Sequence, residues 1–165
     1  MALTVETGTG SSSSESFASV AAADTRLAAM GLTNWATLTT AEKEQALRRA
    51  TTFFEQAYRA RWAGSRMIRT QALSWPRYGV CVDGFPVYTD VVPAEVVNAC
   101  IDLAFKAAAG DLNADLTRAV IREKVGPIET EYSSASPQAV RYRSIDQTLA
   151  PYLTGSSAMA TLVRA

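Results

Sequence analysis

The chain has 165 residues, of which 48% are hydrophobic and 19% charged, and its 16 basic and 16 acidic side chains give a formal net charge of zero. These proportions are typical of one soluble globular domain, and the zero charge excludes a whole-molecule electrostatic attraction to nucleic acid. Because the chain has no histidine, it lacks the commonest general base and metal ligand. We therefore expect no enzyme, no cofactor and no metal site.

The first sixteen residues predict a flexible arm. The opening Met1–Glu6 has neither the basic start nor the apolar run of a secretion signal. No apolar stretch in the chain reaches the roughly 18 residues that a membrane span needs, so we expect synthesis in a cytoplasm and no membrane partner. Gly8, Thr9 and Gly10 precede four serines, and such a segment buries too little apolar surface to offset the entropy of ordering it. A phosphate loop is excluded because no lysine follows and no strand precedes.

Two helices should follow the arm. The first should cover about residues 20–30, with Ser19 as its N-cap and Gly31 as its left-handed stop. The second begins at a capping box, in which Thr39 accepts from the amide of Glu42 and the Glu42 carboxylate reaches back. Apolar residues then recur at helical spacing as far as about Arg61: Leu47, Ala50, Phe54, Ala57 and Tyr58.

The stretch from Ala63 to Val92 predicts a long irregular loop. Turn or chain-breaking pairs interrupt it at Trp75-Pro76, Asp83-Gly84 and Phe85-Pro86. A loop of this length is uncommon inside a compact domain and usually serves binding. Its aromatic side chains favour packing on a surface, so we expect an intersubunit element formed by Trp75, Arg77, Tyr78, Phe85 and Tyr88.

The next segment predicts a third and central helix. Pro93 suits its first position and Gly110 its end. A narrow polar stripe runs along it, formed by Glu95, Asn98, Asp102 and Lys106. The rest of its circumference is apolar, which is typical of a helix packed on several sides.

A hairpin and a short helix complete the predicted elements. From Val120 to Tyr132 the hydrophobic period becomes two, and a turn at Gly126-Pro127 would set Lys124 opposite Glu129 and Arg122 opposite Glu131. The same register sets three further pairs: Ile121 with Tyr132, Glu123 with Thr130, and Val125 with Ile128. The last helix should cover about residues 145–153, with Ser144 as its cap.

These elements predict a mainly α fold: a small helical bundle of three main helices plus a short C-terminal helix, with a β-hairpin and a long irregular loop. The chain divides into the arm at 1–16, a helical domain at 17–155 with its hairpin at 120–132, and a C-terminal tail at 156–165. The tail carries Met159, Leu162 and Val163 at helical spacing, a pattern that suits docking on a partner.

The charge distribution leaves three interpretations open. Residues 42–77 carry eight cations against three acids, and residues 83–115 carry six acids against one cation. The basic half could bind nucleic acid, with the aromatic rings of Trp62, Trp75 and Tyr78 as stacking platforms. It could instead meet the acidic half of another copy in a head-to-tail contact that closes into a ring, or both faces could simply be solvated. The nucleic-acid contacts would be Arg59, Arg61, Arg66, Arg69 and Trp62.

Several segments of the chain, in order, resemble one family. The segments are Thr4-Val5-Glu6 with Gly8-Thr9-Gly10, Gln71-Ala72-Leu73-Ser74-Trp75-Pro76-Arg77, Asp83-Gly84, Val92-Pro93-Ala94-Glu95-Val96, Glu123-Lys124-Val125-Gly126-Pro127-Ile128 with Glu131-Tyr132, and Ile145-Asp146 with Leu149-Ala150-Pro151-Tyr152-Leu153. The family is the head–tail connector, or adaptor, of tailed bacteriophages. Its members are often labelled DnaT-like single-stranded-DNA-binding proteins.

The resemblance implies a mostly helical, non-enzymatic subunit of the virion neck, made in the host cytoplasm. Such subunits form a ring, commonly of twelve copies, under the portal protein. The ring extends the channel through which double-stranded DNA passes without sequence-specific contacts, and it joins the head to the next neck or tail protein. Met159, Leu162 and Val163 would then dock on the portal. The alternative function is a true single-stranded-DNA-binding module of replication, which would use the residues from Arg59 to Tyr78.

Overall fold

The computed structural model describes residues 2–114, 120–124, 129–132 and 140–154, and it has the mainly α fold that the sequence predicts. Its helices are α1 (Val20–Ala29), α2 (Thr40–Tyr58), α3 (Ala94–Ala109) and α4 (Arg143–Leu149), with short 3-10 helices at Thr33–Thr37 and Ala150–Tyr152. Within the described residues, no helix is both long and apolar enough to cross a bilayer.

Side-chain caps start the first two helices where the sequence predicts them. The Ser19 side chain accepts from the amide of Ala22 at the start of α1, and Thr39 and Glu42 form the reciprocal capping box of α2. Each such cap is worth about 1 kcal/mol. Gly31 follows α1 with a φ of 73°, the left-handed conformation that glycine adopts most readily. Helix α2 ends at Tyr58, three residues before the predicted Arg61.

Helix α3 packs along α2 and forms the centre of the core, as predicted. It buries residues all along its length: Val96, Ala99, Cys100, Ile101, Leu103, Ala104 and Ala107. Facing them, α2 buries Leu47, Ala50 and Phe54. The polar stripe of α3 makes specific contacts, since its Asp102 accepts a bidentate pair of hydrogen bonds from Arg26 of α1 at 2.9 and 3.0 Å.

The prediction of a flexible arm at residues 1–16 is wrong for the described residues 2–16. Glu6 is only 2% exposed, and its carboxylate accepts the amides of Gly8, Gly10 and Ser11 and the hydroxyl of Ser14 at 2.9–3.0 Å. One buried carboxylate thus accepts hydrogen bonds from amides and a hydroxyl that would bond to water in a flexible segment. Gly8 lies against the carbonyl of Asp90 so closely that a Cβ atom would clash.

The segment from Ala63 to Val92 contains two short antiparallel strand pairs and is not wholly irregular. Strand β1 (Ser65–Arg66) pairs with β2 (Arg77–Tyr78), and β3 (Cys81–Val82) pairs with β4 (Phe85–Pro86). The turn between β3 and β4 holds Asp83 and Gly84 at φ values of 52° and 85°. Two consecutive positive φ values match the right-handed twist of a tight hairpin, and Asp-Gly is a favoured pair there.

The predicted hairpin register is largely confirmed. Strands β5 (Val120–Lys124) and β6 (Glu129–Tyr132) pair Arg122 with Glu131, Glu123 with Thr130 and Lys124 with Glu129. The predicted partner of Tyr132 is wrong, because Val120 and not Ile121 faces it. A register shift between Val120 and Arg122 adds one residue to β5, as a bulge does. The predicted turn at 126–127 and the pair Val125–Ile128 lie outside the described residues.

The last helix begins earlier than predicted. Helix α4 starts at Arg143 and is preceded by Tyr142 at the N-cap position, without a side-chain cap, so the predicted cap at Ser144 is wrong. Its early start reflects packing, because Ile145 and Leu149 are buried and tertiary contacts override a local capping signal. The predicted tail at 156–165, with Met159, Leu162 and Val163, lies outside the described residues.

Candidate interaction surface

The tryptophans predicted as stacking platforms are part of the core. Trp75 is 0% exposed and Trp62 is 4% exposed, and their rings meet edge to face with centroids 5.6 Å apart. Trp75 also packs edge to face on Tyr152, and Trp62 stacks on Phe54. Because neither indole presents a face to solvent, the prediction that they stack on bases is wrong. Trp75 is likewise wrong as a candidate intersubunit contact.

Arg77, another predicted intersubunit contact, lies inside the fold. Its side chain is 6% exposed, and its guanidinium donates to the carbonyls of Ala63 and Gly64 at 2.7 Å and of Ser74 at 3.1 Å. Burial lowers the pKa of the guanidinium, as does the nearby charge of Arg66. Arg77 thus joins the backbone at Ala63 and Gly64 to the backbone at Ser74, and the prediction of an intersubunit role for it is wrong.

The remaining three predicted contact residues are exposed. Tyr78 is 51%, Phe85 75% and Tyr88 78% accessible to solvent. We call residues 81–88, which comprise β3, its turn, β4, Val87 and Tyr88, the aromatic hairpin. Its base is anchored, because Val80 is buried and its carbonyl accepts the amide of Val87 at 2.9 Å. The aromatic hairpin therefore projects two uncovered rings from a fixed support.

The arginines of the nucleic-acid interpretation have one exposed predicted platform near them, Tyr78, because its strand β2 pairs with β1, which contains Arg66. Arg59, Arg61 and Arg69 are exposed and Arg66 is partly buried. Arg61 packs over the ring of Tyr58 with 5.6 Å to its centroid and lies 3.9 Å from the carboxylate of Asp146. These side chains can attract phosphate, but Tyr78 is the one predicted stacking platform that is exposed, since Trp62 and Trp75 are buried.

An apolar groove that the sequence analysis missed lies between the 3-10 helix at 33–37 and the C-terminal part of α3. It has a volume of about 260 Å³. Its lining residues are Asn34, Trp35, Thr37, Leu38, Phe105, Ala108 and Ala109. The indole of Trp35 is fixed, since its Nε1 donates to Asp24 at 2.8 Å. The sequence feature that could have revealed this groove is the stretch Trp35–Leu38, which is mostly apolar and lies between two predicted helices.

The described residues contain no cluster of metal-ligating side chains. No group of three or more Cys, Asp and Glu side chains in them is arranged to hold a metal ion. Cys81 is exposed and Cys100 is buried, and they are not bonded to each other. Burial raises the pKa of the Cys100 thiol, which keeps it in the unreactive neutral form.

Comparison with known proteins assigns the chain to a family. No curated protein matches it significantly, and no solved structure does. The model of one family, described as "Putative DnaT-like ssDNA binding protein", matches residues 1–165. Since this match spans the whole sequence, the chain belongs to that DnaT-like family.

Proposed function

We propose that the chain is a structural head–tail adaptor of a tailed bacteriophage. In this proposal, copies form a ring of about twelve under the portal protein, extend the DNA channel and join the head to the next neck or tail protein. The chain would be made in the host cytoplasm and reside in the virion neck. The observation that carries the proposal is the aromatic hairpin, whose Phe85 and Tyr88 are 75% and 78% exposed on an anchored base.

Two uncovered aromatic rings on a fixed hairpin suit a protein that works in an assembly. Soluble monomers rarely leave large apolar groups together at the surface unless a partner covers them. The anchor formed by Val80 and Val87 reduces the entropy lost when Phe85 and Tyr88 become ordered against a partner. The resemblance of the sequence segments to head–tail connectors is the reason that we propose the virion neck as that assembly.

The packing of the tryptophans also supports an adaptor. Binding to single strands depends on aromatic faces that bases can reach, and both Trp62 and Trp75 are buried. A duplex passing through a channel needs no such faces. The proposal also includes that the chain has no enzymatic activity, which the absence of histidine predicts.

The C-terminal tail is part of the proposal. Met159, Leu162 and Val163 would form one apolar stripe on a helix formed against the portal. Truncation after Gly155 should leave the thermal midpoint of the isolated chain unchanged and weaken its attachment to portal-bearing heads. Truncated chain that completes heads as well as the full-length chain would remove the tail from the proposal.

Complementation in vitro tests the proposed function. DNA-filled heads that lack this chain should fail to join tails, and adding purified full-length chain should restore infectious particles. The double variant F85S/Y88S should restore few, because the exposed rings are lost, whereas M67S, which changes another exposed apolar side chain, should restore particles normally. Heads that join tails equally well without the chain would contradict the proposal.

A second candidate function is binding of single-stranded DNA, which the family description and the exposed Arg59, Arg61 and Arg69 favour. Genuine binding through n basic contacts gives log affinity a slope of about −0.7n against log salt. The variant R59Q/R69Q should then reduce the slope by about 1.4, and the matched R141Q/R143Q, at two other exposed arginines, should not. Tight binding at physiological salt with this pattern would favour the second candidate, and feeble binding that no variant alters would favour the adaptor.

A further inference from the structure

The apolar groove and the aromatic hairpin lie toward opposite ends of α3. Strand β3 of the hairpin contacts the 3-10 helix at 150–152, and Tyr152 of that helix donates to Glu95 in the first turn of α3 at 2.8 Å. The groove uses Phe105, Ala108 and Ala109 in the last turns of α3. At about 1.5 Å per residue, fourteen residues of helix separate Glu95 from Ala109 by roughly 21 Å.

The hairpin of one copy is held away from its own groove. Its base is tied by Val80 and Val87, and the segment after it is fixed where Gly8 lies against Asp90. Any contact between hairpin and groove must therefore join two copies. A contact between two different surfaces of the same chain is heterologous, and it closes into a ring when the rotation between copies allows.

We propose that the aromatic hairpin of one copy inserts Phe85 into the apolar groove of the next copy. This inference rests on the proposed function, because it names the contact that closes the ring. The groove has room for the ring: an engineered cavity of about 150 Å³ holds benzene, and the groove measures about 260 Å³. Trp35 supplies a wall that Asp24 holds in place.

Charge complementarity supports a second copy as the occupant. The segment from Tyr78 to Glu95 carries Asp83, Asp90 and Glu95 and no cation. At the groove end, Lys106 follows Phe105, is exposed and has no carboxylate partner among the described residues. Asp24, which holds Trp35 of the groove wall, already pairs with Lys43 at 2.9 Å, and Asp111 is exposed just beyond the end of α3. Asp83, the one acid of the aromatic hairpin, would thus approach Lys106, whose ammonium lies 5.7 Å from the centroid of the Tyr142 ring.

Sedimentation velocity of the full-length chain over a range of concentrations tests the contact from both sides. F85S removes the inserted ring, and A109R fills the groove from an exposed helix end. Each should weaken self-association about tenfold or more, as loss of a central anchor does. The matched controls M67S and A60R change exposed residues elsewhere and should leave association unchanged. Association that F85S and A109R do not weaken would overturn the inference.

Cross-linking identifies the contact directly. One chain carries C81S and F85C, another carries C81S and A109C, and a short bismaleimide joins only thiols that lie close together; Cys100 is buried. Cross-linked dimers should form when the two chains are mixed, free or bound to portal, and not when A60C replaces A109C. Rings on portal without this cross-link would overturn the inference and leave the adaptor function standing. Chains that remain monomeric at every concentration and also fail to join portal would overturn both.

Discussion

Trp62 and Trp75 meet edge to face in the core, with ring centroids 5.6 Å apart. Each comes from a different part of the chain: Trp62 follows α2, and Trp75 lies before β2. Their contact joins the segment at 63–92 to the helical bundle through Phe54 of α2 and Tyr152 near the C-terminal end of the described residues. The pair therefore connects the segment that carries the aromatic hairpin to the helical core and leaves no indole for a base.

The first prediction concerns the stability role of Trp75. Trp75→Ala should lower the free energy of unfolding by about 3–5 kcal/mol, because it leaves a large cavity in a fully buried site. Urea unfolding followed by circular dichroism measures the change. Tyr88→Ala, at an exposed ring, should change stability by about 0.5 kcal/mol or less. A Trp75→Ala protein as stable as the wild type would contradict the structure at this point.

The second prediction concerns Arg77. Arg77→Ala should cost about 3 kcal/mol, since three backbone carbonyls, one of them buried, lose charge-assisted hydrogen bonds. Arg77→Lys should recover only part of the loss, because one ammonium cannot reproduce the planar fork of donors. Arg69→Ala removes an exposed arginine and serves as the control in the same urea titration. Equal stability of the Arg77→Ala and Arg69→Ala proteins is the outcome that would refute the buried network.

The third prediction tests the ordered N-terminal segment. Glu6→Gln should lower the free energy of unfolding by about 1–3 kcal/mol, because an amide nitrogen would face backbone donors that now bond a carboxylate oxygen. Glu15→Gln is the matched control in the same segment. The Glu15 carboxylate pairs with Arg48 at 3.1 Å at the surface, where solvent screens the pair, so its loss should leave the free energy of unfolding nearly unchanged. Amide hydrogen exchange of Gly10 and Ser11 should be slow in the wild type and fast in Glu6→Gln. Fast exchange of these amides in the wild type would show that the N-terminal segment is a flexible arm, as the sequence alone predicts.

The fourth prediction concerns alkaline pH. Burial, and then the hydrogen bond to Asp146, raise the pKa of Tyr58 above its ordinary value of 10.0. Above pH 10 the unfolded chain releases this proton while the folded chain retains it, so stability is complete below pH 10 and is lost as pH rises above it. The contribution of one such group reaches about 1.4 kcal/mol per pH unit. Tyr58→Phe should therefore flatten the decline of stability above pH 10 and leave the pH dependence at pH 7–9 unchanged. An unaltered decline would show that Tyr58 is accessible in the folded state.

The helices were predictable because their signals are local. Ser19, Thr39 and Glu42 lie within a few residues of the amides they bond. The sequence of α3 is apolar around most of its circumference, which predicts that most of its surface is covered by other elements. The register of β5 and β6 was predictable for the same reason, since opposite charges and apolar residues alternate together over a dozen positions. The bulge between Val120 and Arg122 was not predictable, because nothing in the alternation of the side chains along the sequence marks an extra residue.

The missed features depend on contacts between distant residues. The sequence after Glu6, from Thr7 to Ser14, contains only polar residues and glycines, and the burial of Glu6 follows from the packing of that segment against the chain near Asp90 and Ile68. Similarly, tryptophans beside turn signals suit either a binding surface or a core, and only the fold distinguishes the two. Phe85 and Tyr88 remained at the surface because a short hairpin with a positive-φ turn projects its tip away from the domain. Tyr78, Phe85 and Tyr88 are thus the predicted contact residues that the fold leaves exposed, and their role in an interface stays a prediction.

Electron microscopy of the purified chain mixed with purified portal protein tests the adaptor function most directly. Negative-stain images should show an additional ring coaxial with the portal, with the rotational symmetry of the portal and a continuous central channel. The F85S/Y88S variant, if its circular dichroism matches that of the wild type, should give portal particles with no complete ring. Portal particles that look the same with and without the wild-type chain, at concentrations well above those expected for assembly, would contradict the account.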